Sequence, residues 1–237
     1  MAERSHNDDA RREMLAAIRR HLAASAPFDA VREEHHAGHG GATGKGRVIE
    51  ALREPDASPV ERFRQALEAV AGRCVVVRDV GQAAEAVREI IEAKKARRVA
   101  VSDSELVRRV LARVNTGAEL VEHAAAADLF HCDLGVTGAQ WAVAETGTLV
   151  LEAERERHRL ASLVPPVHVA VVGAGSVRQT LAEVLGLLGE RGRDRLSRTV
   201  TFVTGPSRTS DIELTLAIGV HGPGELYVVI IEGEGHD

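Results

Sequence analysis

The sequence is short of cysteine. Cys74 and Cys132 are the only two in 237 residues, and they stand far apart, which excludes a disulfide framework and a four-thiolate metal or iron–sulfur site. Any redox cluster this protein uses must therefore sit on another chain. Aromatic residues make up 3%, with one Trp and one Tyr, so the core must be built from Ala, Val, Leu and Ile, and stacking platforms for single-stranded nucleic acid are lacking. Positive charge is not in excess: Lys+Arg 30 against Asp+Glu 35 gives a net charge of -5, which provides no general field toward DNA, RNA or anionic lipid. No apolar run approaches the roughly 20 residues of a membrane span. The N-terminus is charged at Arg4, Asp8, Asp9, Arg11 and Arg12, where a signal peptide would be apolar. These absences predict a cytoplasmic protein with neither nucleic acid nor membrane as partner. What remains, 44% hydrophobic and 27% charged residues, is enough to bury a sizeable core.

The chain divides by texture into 1–55 and 56–237. In the first part, Met14, Leu15, Ile18 and Leu22 are spaced as one face of an amphipathic helix over 8–24, with acids before it and basic residues near its end. The Gly- and His-rich stretch 25–47 has no periodic apolar face and reads as a flexible linker. From residue 56 β and α patterns alternate. Ser58 and Pro59 are placed as N-cap and N1 of a helix over 58–71. Strands are predicted at 74–77, 98–102, 167–172, 199–204 and 225–231, and helices at 80–94, 104–114 and 176–189. The Gly-punctuated segment 133–153 predicts β-hairpins. Together these give an α/β protein with a wound sheet flanked by helices, a small β insertion and an N-terminal helical arm.

Four polar turns are candidates for chemistry. VVGAGSVR at 171–178 offers Gly173 and Gly175 after a strand, but Arg178 stands where a dinucleotide fingerprint needs its third glycine. A tight βα connection and an anion held at the helix N-terminus both fit. AETGT at 144–148 places Glu145 in an apolar run: pointing inward it needs a partner, and pointing outward it is the polar half of a strand. Thr137, Gly138 and Gln140 lie on the preceding turn. GPSRTSDIE at 205–213 combines a Gly205-Pro206 turn, a Ser210/Glu213 capping box and the guanidinium of Arg208, which suits either a capped turn or an anion held by Arg208 and the N–H groups of 207–211. His221, between glycines at 219–225, can titrate near neutrality or remain a loop histidine. Three such turns following strands are expected to meet at the carboxyl edge of the sheet. His35, His36 and His39 read as a solvated tract, as does ERERHR at 154–159, and His123, His131, Cys132 and Asp133 lack the spacing of a metal motif. No metal site is expected.

GVTGAQWAVAETGTLVL (135–151), RLASLVPPVHVAVV (159–172), GPSRTSDIE (205–213) and GVHGPGELYVVII (219–231) together resemble the LUD-domain family, in its lactate utilization protein C (LutC/YkgG) branch. The resemblance runs over about 56–231. It implies a fold similar to the NagB/RpiA/CoA-transferase superfamily and a part in oxidising L-lactate to pyruvate with two iron–sulfur proteins. In that setting this chain is the clusterless accessory member, has no cofactor of its own, and takes a small carboxylate in a cleft at the strand ends. The residues carried over are Thr137, Glu145, Thr146, Gly147 and Thr148, then Gly205, Ser207, Arg208, Thr209, Asp211 and Glu213, and His221 with Gly222 and Pro223; of these, Gly222 and Pro223 shape the turn. Glu145 and His221 would be the catalytic residues, supplying hydrogen bonds or proton transfer, and the others would bind the substrate or anion. By analogy of fold, a stand-alone enzyme of CoA-transferase or sugar-phosphate-isomerase type using Glu145 is the alternative.

Overall fold

The computed structural model describes residues 57–122, 125–156, 159–190, 197–209, 217–219 and 221–234, together with Ala16. The helix expected over 8–24 and the linker expected over 25–47 lie outside the described residues, Ala16 apart, as do His35, His36, His39 and His123. Arg53–Asp237 form one compact unit.

The unit opens with α1 (Pro59–Ala69), where Pro59 takes the first turn and the Ser58 hydroxyl accepts the Glu61 N–H at 3.2 Å. Both signals were legible in the sequence. Then follow β1 (Arg73–Val77), α2 (Val80–Ala93), β2 (Arg98–Val101), α3 (Glu105–Leu111), β3 (Glu119–Val121), α4 (Ala126–Leu129) and β4 (Leu134–Gly138). β5 (Trp141–Val143) and β6 (Thr148–Glu152) form a hairpin, and a 3-10 turn at Arg159–Ser162 leads into β7 (Val167–Gly173). The remainder is β8 (Val177–Arg178), α5 (Leu181–Glu190), β9 (Val200–Thr204), β10 (Arg208–Thr209), β11 (Ala217–Ile218) and β12 (Glu225–Ile231).

Six strands form one parallel sheet in the order β1-β12-β7-β4-β2-β3. A parallel sheet is covered on both faces, so its strands read as continuous apolar runs, and every residue of β7 and β4 is buried. On one face Val99, Val136, Val169, Val229 and Ile231 pack under Val87 and Ile91 of α2 and Val107 and Val110 of α3. On the other, Ala170, Val172, Val228 and Ile230 meet Phe63 and Leu67 of α1 and Ala142, Leu149 and Leu151 of a second sheet. That sheet, β8-β5-β6-β9, turns Trp141, Val143 and Val150 outward against Val184 and Leu188 of α5.

Three expectations need correction. The β insertion is a full four-stranded layer, because β9 pairs antiparallel with β6 instead of joining the wound sheet. The helix expected over 176–189 begins only at Leu181: Val177 pairs with Ala142 of β5, and that edge position takes the segment 177–178 out of the helix. β3 and α4, both short, were not foreseen. The ambiguous stretch after Gly205 carries a two-stranded ladder, Arg208–Thr209 with Ala217–Ile218.

One topological feature positions a cleft. After β2 the chain enters α3 on one face of the parallel sheet, whereas after the neighbouring β4 it enters β5 on the opposite face. Adjacent strands whose connections leave to opposite sides open a crevice at their carboxyl ends.

Candidate functional site

That crevice is the first of two clefts. It holds about 340 Å³ and is lined by Asp103, Ser104, Gly138, Gln140, Arg155 and Glu156, with Val171, Gly173 and Ser176 from the end of β7 and beyond. Glu156 is 0% exposed. Its N–H donates to Glu152 O at 2.8 Å in the turn that follows β6, which folds the side chain back over Gly138. Burial pushes its carboxyl up to about 7; Ser102, the Gly138 N–H and Gln140 pull the other way, yet neither carboxyl oxygen is closed by a hydrogen bond of ordinary geometry. At neutral pH the group is therefore poised between acid and carboxylate. The sequence of 154–159 predicts a solvated turn and does not reveal Glu156. The charge-rich pattern ERERHR gives no local sign that one of its carboxylates turns inward.

The second cleft, about 330 Å³, gathers Ser162, His168, Thr204, Gly205, Ser207, Arg208, His221 and Leu226 among its lining. Four of the expected site residues thus meet: Gly205, Ser207, Arg208 and His221. They meet at the amino ends of β7 and β12, marked by His168 and Leu226, and not at the carboxyl edge as the three-turn expectation had it. The reason is again β9, whose place in the second sheet returns the following turn over the strand starts. Gly205, at φ +79°, supplies that turn, and a Cβ there would stand 2.8 Å from Val70 O. Arg208 donates through Nη2 to Val70 O at 2.9 Å, so its guanidinium is anchored to the end of α1. The Ser207 N–H is spent on Pro223 O at 2.8 Å and is not free for an anion.

His168 is the residue that sequence reasoning missed here. It is fully buried in β7, burial pulls its pKa down to about 4, and its Nε2 lies 2.8 Å from the Thr137 hydroxyl of β4. Its Nδ1 is buried with no partner among the described residues. A polar residue inside VHVAVV was the available signal.

The remaining expected residues have other surroundings. Glu145 lines neither cleft; its carboxylate accepts the Leu181 N–H at 2.6 Å and so caps the start of α5. Thr146, Thr148 and Thr204 form a chain of hydroxyls at 2.7 Å each, which ends at the second cleft through Thr204. Gly147, at φ +63°, sits where a Cβ would overlap the backbone of Leu67. Thr209 pairs with Ala217; Ser210, Asp211 and Glu213 lie outside the described residues. No α-helix opens directly on the Gly173–Gly175 turn, which leads through a 3-10 segment into β8, so the anion-at-helix reading of 171–178 is overturned.

Cys74 lies on β1, its thiol pushed up to about 12 by burial, while Cys132 precedes β4, with β12 and β7 between the two strands. They cannot share a ligand. Asp133 accepts the Arg97 and Arg98 N–H groups at 2.8 and 3.0 Å. Among the described residues no group of three His, Cys, Asp or Glu side chains could hold a metal ion, and no helix is long and apolar enough to cross a membrane.

Curated relatives include two proteins named lactate utilization protein C. That of Halalkalibacterium halodurans is 34% identical over 119 residues, 49% of each chain. That of Deinococcus radiodurans is 39% identical over 106 residues, 44% of this chain and 49% of the relative. The chain thus spans about half the length of the curated relatives it matches. Among solved structures, a DUF162 family protein from Deinococcus radiodurans superposes with a TM-score of 0.56 over 74% of this chain and 99% of its own, at 22% identity, and shares the fold. The family model of the LUD domain matches residues 60–231, from the first turn of α1 to the last residue of β12, and the chain belongs to the LUD-domain family.

Proposed function

We propose that this chain is a cytoplasmic, clusterless subunit of a system that oxidises L-lactate to pyruvate, and that its second cleft takes the small carboxylate. One observation carries this reading. Arg208, at the start of β10, and His221, in the turn before β12, arrive at a cleft with no acidic side chain among its described lining residues, whereas the first cleft carries Asp103, Glu105 and Glu156. An anion is favoured where a guanidinium and other hydrogen-bond donors converge away from carboxylates. Hydroxyls of Ser162, Thr204 and Ser207 on the same cleft suit the polar end of a three-carbon acid. Removing two electrons and two protons from lactate requires an acceptor. With two separated cysteines, the chain passes that step to partners, which we take to be two iron–sulfur proteins. The names of the curated relatives support lactate as the substrate.

The test is lactate-dependent dye reduction in extracts of source cells lacking this chain, complemented by the intact chain or by Arg208→Ala. Loss on deletion, rescue by the intact chain and failure of a stably folded Arg208→Ala variant are expected. Full rescue by Arg208→Ala removes the cleft from the function, and undiminished reduction in the deletion strain removes the lactate assignment.

A further inference from the structure

The proton count around Thr137 fixes the state of His168. Thr137 has one hydroxyl proton, and its Oγ1 lies 2.9 Å from the Gly138 carbonyl, which can only accept. The same oxygen lies 2.8 Å from His168 Nε2. Both contacts are satisfied together only if Thr137 donates to Gly138 and His168 donates from Nε2. A fully buried ring pushed toward its neutral form carries no second proton, so Nδ1 is a bare lone pair. It is buried and meets no donor among the described residues. His168 is among the residues that line the second cleft and Thr137 is not; with Nε2 committed to Thr137, Nδ1 is the ring atom left for what enters the cleft, and its burial means that a ligand must reach in to meet it. A buried acceptor without a donor is costly until a ligand supplies one.

We infer that His168 reads the hydroxyl of the bound acid: the second cleft takes a 2-hydroxy acid whose C2 hydroxyl donates to His168 Nδ1 while its carboxylate meets Arg208 and His221, and it disfavours the matching 2-oxo acid. The inference rests on the carboxylate reading of this cleft and adds to it a group that distinguishes the alcohol from the ketone. A ketone oxygen brings only lone pairs to the Nδ1 lone pair, and an unsubstituted acid brings nothing. His168 is a specificity residue here, and Thr137 positions it by fixing its tautomer.

The test is a binding titration of the full chain by NMR with L-lactate, pyruvate and propionate, read alongside the two-bond proton–nitrogen spectrum of its histidines. L-lactate should bind roughly tenfold more tightly than either of the others, the value of one additional hydrogen bond. One histidine should show an unprotonated Nδ1 whose resonance moves with lactate and not with propionate. In Thr137→Val, where Nε2 loses its acceptor, the ratio of lactate to pyruvate affinity should fall toward one. Equal binding of lactate and pyruvate by the unaltered chain overturns the inference and leaves the carboxylate reading standing, whereas binding of none of the three acids overturns both. A protonated Nδ1 in the unaltered chain overturns it without recourse to any variant.

Discussion

Gly138 lies directly beneath the Glu156 carboxyl: a Cβ at Gly138 would overlap Glu156 Oε1 and stand 2.7 Å from Ser104 Oγ. The last residue of β4 therefore has no side chain because a buried carboxyl and a hydroxyl occupy the space. Gly138→Ala should destabilise the protein by about 1–3 kcal/mol, the usual cost of overpacking, with part of the loss recovered in a Gly138→Ala/Ser104→Ala double variant. Gly135→Ala, three residues earlier on the same strand, should be worse, since its Cβ would run into the Ala161 carbonyl and only backbone movement of the 3-10 turn could relieve it. Urea unfolding of the three variants checks the order. No loss at Gly138 would mean that Glu156 is not held over it.

Glu145 illustrates how a motif carboxylate can serve the fold. Its bond to the Leu181 N–H satisfies one of the free donors at the start of α5 and places a negative charge at the positive end of that helix. Glu145→Ala should cost about 1 kcal/mol, the loss of a cap, and Glu145→Gln less, because an acceptor oxygen remains. Lactate-dependent dye reduction by complemented cells should survive Glu145→Gln. A stably folded Glu145→Gln variant without activity would return Glu145 to the acid–base or nucleophile role and favour the stand-alone enzyme.

Asp133, considered with its neighbours as a weak metal-ligand group, ties the start of β2 to the loop before β4. Its carboxylate is held below the usual range by the Arg97 N–H first, then by the Arg98 N–H. Asp133→Ala should cost about 2 kcal/mol at pH 7, the scale of hydrogen bonds to a charged acceptor. Because the folded pKa is depressed, that contribution is present above the unfolded value of 3.8 and is lost as pH falls through the folded value. Thermal melts of both proteins at pH 7 and pH 3 should show the difference shrinking at the lower pH.

What was legible in the sequence was whatever depends on near neighbours. Ser58 and Pro59 announce α1, and the apolar runs of β7 and β12 announce strands buried on both faces. Gly205, Ser207, Arg208 and His221 were singled out and do share a cleft, but which edge of the sheet they occupy depends on β9 pairing with β6, a long-range choice that no local pattern encodes. Val177 is lost to β8 for the same reason. Glu156 stayed hidden because a charged run is normally solvated, and only the turn back from Glu152 buries it. His168 stayed hidden because VHVAVV satisfied the strand pattern so well that its one polar residue passed unremarked.

Glu156 and His168 should pull the stability of the protein in opposite directions as pH changes. Glu156 has a folded pKa of about 7 against an ordinary 4.5, so its contribution is full below 4.5 and is lost as pH rises through 7. His168 has a folded pKa of about 4 against an ordinary 6.5, so its contribution is full above 6.5 and is lost as pH falls through 4. Each shift corresponds to about 3 kcal/mol, and between 4.5 and 6.5 the two slopes cancel. The described carboxylates held low by their partners, Glu61, Glu85, Asp133, Glu225 and Glu234, act below this window. The unaltered protein should therefore show nearly level stability from pH 4.5 to 6.5, followed by a small decline to 7. Glu156→Gln removes one slope and leaves the other, so the variant should gain stability by about 3 kcal/mol from pH 4 to 6.5 and then hold level. Urea unfolding at pH 4.5, 5.5, 6.5 and 8 reads the two profiles, and parallel profiles would mean that Glu156 ionises as an ordinary solvated carboxylate.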